Sequence, residues 1–133
     1  MKDGSNCPFC SKQIQIQHES KTAFAIFDKY PVTNFHSLII PKRHVKSYFE
    51  LTDIEKSDCL DLVSKVRQFL CETDEKITGF NVGINDGDDA GQTIEHCHIH
   101  LIPRRKNDVE NPLGGIRNIF PKKGYYETLV PTP

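Results

Sequence analysis

The run Ile94-Glu-His96-Cys97-His98-Ile99-His100-Leu101-Ile102 constrains this chain more than any other segment. In an extended strand successive side chains point to opposite faces, so His96, His98 and His100 share one face with Ile94 and Ile102, while Cys97, Ile99 and Leu101 share the other. The second face calls for a helix to pack against it, and the first displays three imidazoles where a ligand can sit. The whole chain of 133 residues holds six histidines, so three at this spacing are hard to attribute to packing. Two other readings stand beside a ligand site: half-exposed strand histidines, and a three-histidine metal centre. The metal centre meets a distance problem. Alternate strand residues lie about 6.6 Å apart and the outer pair about 13 Å, too far for all three to reach one ion at about 2.1 Å each. An ion that takes only one of the three is easier to build.

The remaining segments supply a frame for that strand. Residues 13–17 alternate Gln-Ile-Gln-Ile-Gln and predict a short half-buried strand; residues 22–27 and 37–40 are rich in strand formers and flank a proline-containing loop. Residues 80–84 alternate again, then Asn85-Asp-Gly87 and Asp88-Asp-Ala-Gly91 form a glycine-punctuated loop that leads into a strand over 94–102. Thr52 as N-cap with Glu55 three residues on makes a capping box. Beyond it Cys59, Leu62, Val63, Val66, Phe69 and Leu70 form one apolar stripe of a long helix ending near Cys71. A shorter helix is expected over 42–49. Five strands, one long helix and one short one without a βαβ rhythm predict an α+β fold, a mainly antiparallel sheet with helices on one face.

A length of 133 residues suits one domain, 1–133, with its core over about 7–105 and a C-terminal tail over about 106–133. A net charge of -1, with lysines and arginines scattered, argues against tracking a nucleic acid, and a membrane span would need about 18 apolar residues in a row that the chain lacks. Small phosphorylated ligands remain compatible, since one or two cations and a few backbone N–H groups hold a phosphate. Five cysteines are an odd number behind a polar N-terminus, which argues for a reducing, cytoplasmic setting. The pair Cys7-Pro-Phe-Cys10 is redox-active, metal-binding or incidental. Redox thiols would open a helix after a strand, whereas this pair precedes one, and zinc would need two more ligands.

The segment from Gly91 through His96-Cys-His98-Ile-His100-Leu-Ile-Pro-Arg104 resembles the signature of the histidine-triad (HIT) family, and the likeness extends through Asn85-Asp-Gly and Phe35-His36-Ser-Leu-Ile-Ile-Pro-Lys-Arg-His44. It covers most of the chain from about Cys7 to Arg105. The resemblance implies a HIT-like α+β meander, commonly a homodimer whose two sheets join. It implies a purine nucleotide bridged at its α-phosphate as substrate, with no organic cofactor. By the same likeness His98, in the middle position, is the nucleophile and carries a covalent nucleotidyl group; His100 binds the phosphate or bridging oxygen; Gln92 and Thr93 add phosphate donors. Asp28 is similar to the residue that holds the ribose hydroxyls, with His36 and Asn85 lining the same site. Members with an N-terminal cysteine pair complete a structural zinc site with a histidine after the Pro-Lys segment and the first triad histidine, which here are Cys7, Cys10, His44 and His96. In zinc-free members the first histidine is a neighbour of the catalytic one, which leaves His96 two roles. Ala90-Gly-Gln-Thr93 and Pro103-Arg104 resemble the dinucleoside polyphosphate hydrolases, and the Asn85 loop resembles the phosphoramidate hydrolases. A nucleotidyltransferase or phosphorylase differs only in the acceptor. A nucleotide-binding module with little turnover would be signalled by loss of His98, which is present.

Overall fold

The computed structural model describes residues 6–124; the end of the expected tail, 125–133, lies outside the described residues. Strands β1 (His18–Glu19), β2 (Ala23–Phe27), β3 (Ser37–Pro41), β4 (Ile77–Gly83) and β5 (Ile99–Arg105) form one sheet in the order β1-β2-β3-β5-β4, with helix α1 (Asp53–Thr73) between β3 and β4. Every pairing is antiparallel. The fold is the expected α+β arrangement of a five-stranded sheet and one long helix.

Helix α1 starts where its capping box predicts: Thr52 Oγ1 accepts from Glu55 N–H and Glu55 Oε1 accepts from Thr52 N–H. Arg43 adds two hydrogen bonds to the same carboxylate, at 3.0 and 2.9 Å, and holds its pKa down at about 2. Cys59, Leu62, Val66 and Leu70 pack on Ala23, Ala25, Ile39, Ile99 and Leu101 of the sheet. Phe69 is the exception to the predicted stripe. It is half-exposed and meets the His18 ring edge-on at 4.8 Å.

The opposite sheet face is also covered. Phe9 and Ile14, from the N-terminal segment, and Ile94 pack against Phe24, Ile26, Leu38 and Ile40. That second layer explains why β2 and β3 read as continuous apolar runs, since residues pointing either way are buried. It also explains why residues 13–17, against expectation, are not a strand. Ile14 is drawn into the apolar cluster and Ile16 is left exposed, so the segment covers a face, and edge pairing starts with Gln17 N–H to Ala25 O at 2.8 Å.

The predicted helix over 42–49 does not form either; only a single 3-10 turn, Tyr48–Glu50, is present. The backbone groups such a helix would use internally are taken by distant partners. Val45 O accepts from Cys97 N–H at 2.7 Å, Lys46 O from Gln92 Nε2 at 2.9 Å, and Tyr48 N–H donates to Asp86 Oδ1 at 3.0 Å.

The histidine run also departs from the expected strand over 94–102. Strand β5 begins only at Ile99, so His96 and His98 precede it. Carrying the β3–β5 register past Ile39 and Ile99 would set Pro41 opposite Cys97. Proline has no N–H to give, and Pro41 O already accepts from the His96 ring at 2.7 Å. The ladder stops there, and residues 94–96 bend away from it. Among the described residues no helix is long and apolar enough to cross a membrane.

Candidate functional site

A cavity of about 960 Å³ opens between the N-terminal segment, the end of β2 and the loop before β5. That lies at the upper end of the roughly 300–1,000 Å³ usual for small-molecule sites. Asp28, Asn85, Thr93, His98 and His100 reach it, with Phe9 and Ile14 on the apolar wall. Asn85 and His100 also border a second cavity of about 870 Å³ on their far side.

The partners of each ring fix its tautomer. His98 Nδ1–H donates to His96 O at 2.8 Å, because a carbonyl can only accept, so the neutral ring keeps its lone pair on Nε2. Val32 N–H donates to His36 Nδ1 at 3.1 Å, which places the proton of that ring on Nε2. His36 Nε2–H in turn donates to His100 Nδ1 at 2.9 Å, leaving His100 with its proton on Nε2. One ring therefore offers a nucleophilic lone pair and its neighbour offers a donor. Their centroids are 5.2 Å apart.

Burial favours the neutral form of His36 and of His100. His100 is pushed down to about 4, first by loss of solvent and then by the neighbouring His98 and His36 rings. His36 is lowered by burial, and Asp28 opposes the shift. The Asp28 carboxylate is split between two tasks. Its Oδ1 accepts from Tyr30 N–H at 2.9 Å, which is turn chemistry, while Oδ2 lies 3.4 Å from His36 Nε2.

Two predicted residues stand apart from this group. The Gln92 side chain accepts from Gly87 N–H at 2.9 Å and donates to Lys46 O and Ile94 O at 2.9 and 3.0 Å. With both amide hydrogens used on the protein it holds the loop, and Thr93 beside it faces the cavity. His96 is the other. It is completely buried and does not line the cavity, so the expectation of three displayed imidazoles fails at His96, whereas His98, though largely buried, still lines the cavity with His100.

His96 belongs to a second cluster. Donor atoms of Cys7, Cys10, His44 and His96 lie within 4.8 Å of one another. Because His96 Nε2–H is committed to Pro41 O, its Nδ1 lone pair faces Cys7 Sγ at 3.4 Å, Cys10 Sγ at 3.5 Å and His44 Nδ1 at 3.1 Å. Cys10 Sγ is 3.3 Å from His44 Nδ1. Donors around one tetrahedral zinc sit about 3.3–3.8 Å apart, given zinc bonds of about 2.0–2.3 Å, so the donor set and its spacing fit that ion. The Cys10 thiol is pushed up to about 11 by burial and by the adjacent Cys7 thiol, and a bound cation would favour its thiolate form.

Phe9 links the two clusters and was missed in the sequence. It sits on the single 3-10 turn Pro8–Cys10 between the two thiols, and its ring meets those of His96 and His98 at 5.8 and 5.0 Å. Its position between two candidate ligands was the available signal.

A meander sheet with a lone-pair imidazole and a donor imidazole side by side at a ligand-sized cavity defines a histidine-based α+β domain suited to group transfer. The chain belongs to the HIT domain family, whose family model matches residues 12–107. It is 40% identical over 103 residues to the asymmetrical bis(5'-nucleosyl)-tetraphosphatase of Schizosaccharomyces pombe, covering 74% of this chain and 54% of that protein. It is 36% identical over 106 residues to the bis(5'-adenosyl)-triphosphatase of Dictyostelium discoideum, covering 78% of this chain and 69% of the relative. The chain thus spans about half the length of the first relative. Its fold matches the Zn-bound histidine triad family protein of Mycobacterium smegmatis with a TM-score of 0.64 at 31% identity, over 68% of this chain and 66% of that one.

Proposed function

We propose that this protein is a hydrolase that cleaves a purine nucleotide at its α-phosphate, acting on dinucleoside polyphosphates, with His98 as the nucleophile. The observation that carries the reading is the His98 tautomer: Nδ1–H is held by His96 O, so the free Nε2 lone pair attacks phosphorus. The Nε2–P bond forms as the bridging P–O bond breaks, and the departing polyphosphate leaves as its anion, stabilised by a hydrogen bond from His100 Nε2–H, which keeps its proton. Water then attacks the nucleotidyl-His98, returning the imidazole and releasing a nucleoside monophosphate. Thr93 and the backbone around it supply donors at the phosphate, and the free lone pairs of Asp28 accept from the ribose hydroxyls. The names of the two relatives support the substrate class, and a phosphoramidate bond would suit the same two imidazoles.

Zinc held by Cys7, Cys10, His44 and His96 would be structural, since four protein ligands leave no open position. A homodimer suits β4, an edge strand with half-exposed Val82 beside exposed Ile119 and Phe120. The cysteines suit a reducing, cytoplasmic setting. The decisive experiment is acid quench of wild-type enzyme during turnover of a diadenosine polyphosphate. A nucleoside monophosphate adduct on the peptide containing His98 is the expected result, and an adduct on His96 or His100 would overturn the assignment.

A further inference from the structure

Between β2 and β3 the chain turns through residues 28–36, bringing Asp28 to the cavity and His36 against the His100 ring. Phe35, the last residue before His36, has φ of 70°, a left-handed conformation that a bulky aromatic seldom adopts. Strain of that sort persists only where the surroundings enforce it. The Phe35 ring is held by Phe27 at 5.8 Å between centroids, and Phe35 O accepts from Ser37 Oγ at 2.8 Å.

The stronger restraint comes from β5. Arg105, five residues beyond His100 on the same strand, donates from Nη1 to Thr33 Oγ1 at 3.0 Å and from Nη2 to Asn34 O at 3.0 Å. Its third arm, Nε, reaches Asp74 Oδ2 at 2.9 Å, just past the end of α1. The guanidinium thus grips both residues that precede Phe35 and is itself fixed to the helix end. A planar fork with several donors suits this work in a way a lysine does not.

From this geometry we infer that Arg105 is a positioning residue for the histidine relay: it clamps the Thr33–Asn34 turn so that His36 keeps one tautomer and one aim. The chain of causes is short. His36 Nδ1 accepts from Val32 N–H, and His36 N–H donates to Thr33 O at 3.2 Å, so the turn that Arg105 grips is the same turn that orients the ring. With the grip gone, Phe35 relaxes and Val32 N–H leaves Nδ1. His36 then samples the tautomer with its proton on Nδ1, which turns a lone pair toward His100 Nδ1. His100 answers by moving its own proton to Nδ1, and the Nε2 donor facing the cavity is lost. The strand that carries His100 therefore also carries the residue that sets its protonation from outside the cavity. The effect on turnover rests on the proposed role of His100 as hydrogen-bond donor to the leaving oxygen; the effect on His36 does not.

Two variants separate positioning from simple stabilisation. Arg105→Gln releases the turn, and Asp74→Asn weakens only the arm to the helix end. Long-range 1H–15N spectra of the imidazoles in the resting protein report each tautomer directly. In wild type and Asp74→Asn, His36 is expected in one tautomer with the proton on Nε2. In Arg105→Gln its signals show both forms, and kcat on a diadenosine polyphosphate falls roughly tenfold, short of the roughly 10²-fold that losing such a hydrogen-bond donor outright removes, with KM within about twofold. Thr33→Val removes one arm without touching charge and gives a smaller shift in the same direction, which covers the case that Arg105→Gln does not fold. A single Nε2–H tautomer in both Arg105→Gln and Thr33→Val overturns the clamp. Mixed tautomers with unchanged kcat would leave the clamp standing and refute His100 as the donor.

Discussion

At one end of the histidine run His96 is completely buried, its Nε2–H spent on Pro41 O and its Nδ1 facing two thiols and His44. At the other end His100 borders two cavities, and its Nδ1 is filled by His36 so that Nε2–H is left for a ligand. The side chains are identical and four residues apart in sequence. What differs is the backbone partner. Pro41 cannot continue the β3–β5 ladder, so the chain around His96 leaves the sheet and is gathered into a closed cluster, whereas His100 is held in register opposite Leu38. A histidine's role is decided by which of its two nitrogens a neighbour has already engaged.

The sharpest test of that division compares His98→Ala with His96→Ala. The first should reduce turnover by more than about 10⁴-fold, since an obligatory nucleophile is lost and not merely a general base. His98 is largely buried against Phe9, so the variant also loses about 1–2 kcal/mol of stability, read from denaturant melts. His96→Ala should show the opposite weighting: a loss of metal and stability that exceeds its loss of kcat in whatever protein remains folded. Equal kinetic damage from both would erase the distinction between the two ends.

Next in size is the metal. Cys7→Ala with Cys10→Ala should remove zinc, which elemental analysis of protein purified without added metal would register as about one ion lost per chain. If free zinc stands about a thousandfold above its Kd, binding contributes about 4 kcal/mol, so a melting transition lower by more than about 10 °C is the scale to look for. Because Phe9 lies between the thiols and touches the His98 ring, some rise in KM should accompany the loss. Full zinc occupancy in the double variant would remove the four-residue cluster as its site.

Much of this structure is legible in the sequence, and the parts that are not share a cause. The capping box at Thr52, the antiparallel strand content and the gathering of Cys7, Cys10, His44 and His96 depend on short-range pattern or on a recognisable motif. Residues 13–17 alternate as a strand should, but the second sheet face needed a cover, and only tertiary structure reveals that vacancy. Residues 42–49 have no strong helical stripe, and their backbone groups were claimed by Cys97, Gln92 and Asp86. Gln92 is placed at the phosphate by resemblance, and in the structure its amide bonds Gly87, Ile94 and the distant Lys46. Arg105 carries no motif of its own, and its meaning lies entirely in what it reaches across the sheet.

A smaller effect is expected at Asp28, where turn and ligand roles share one carboxylate. Asp28→Ala should weaken ribonucleotide binding about tenfold, the equivalent of about 1.4 kcal/mol, and should barely alter binding of the matching 2′,3′-dideoxy ligand. Calorimetric titration of both ligands makes the comparison. Equal losses would assign Asp28 to its Tyr30 turn alone.

The smallest effect concerns acid, where the open cluster and the helix cap should respond in different windows. His100 has its pKa depressed to about 4 by burial and neighbouring rings, so between its ordinary value of 6.5 and about 4 the unfolded chain binds a proton that the folded chain refuses. Stability therefore falls as pH drops through that interval, and below about 4 this ring causes no further loss. Burial depresses His36 and His96 in the same sense. Glu55 has its pKa lowered to about 2 by Arg43, so its contribution is complete above 4.5 and is lost only as pH falls from there toward about 2. Urea midpoints at pH 7 and pH 5 isolate the histidine window. His100→Asn should lose less stability between those two pH values than wild type does, by roughly 1 kcal/mol once partial solvent access is allowed for, whereas Glu55→Gln should lose as much as wild type. If His100→Asn and wild type lose equally, the neutrality of His100 is not what makes the open cluster acid-sensitive, and the fall would have to come from the buried His36 and His96.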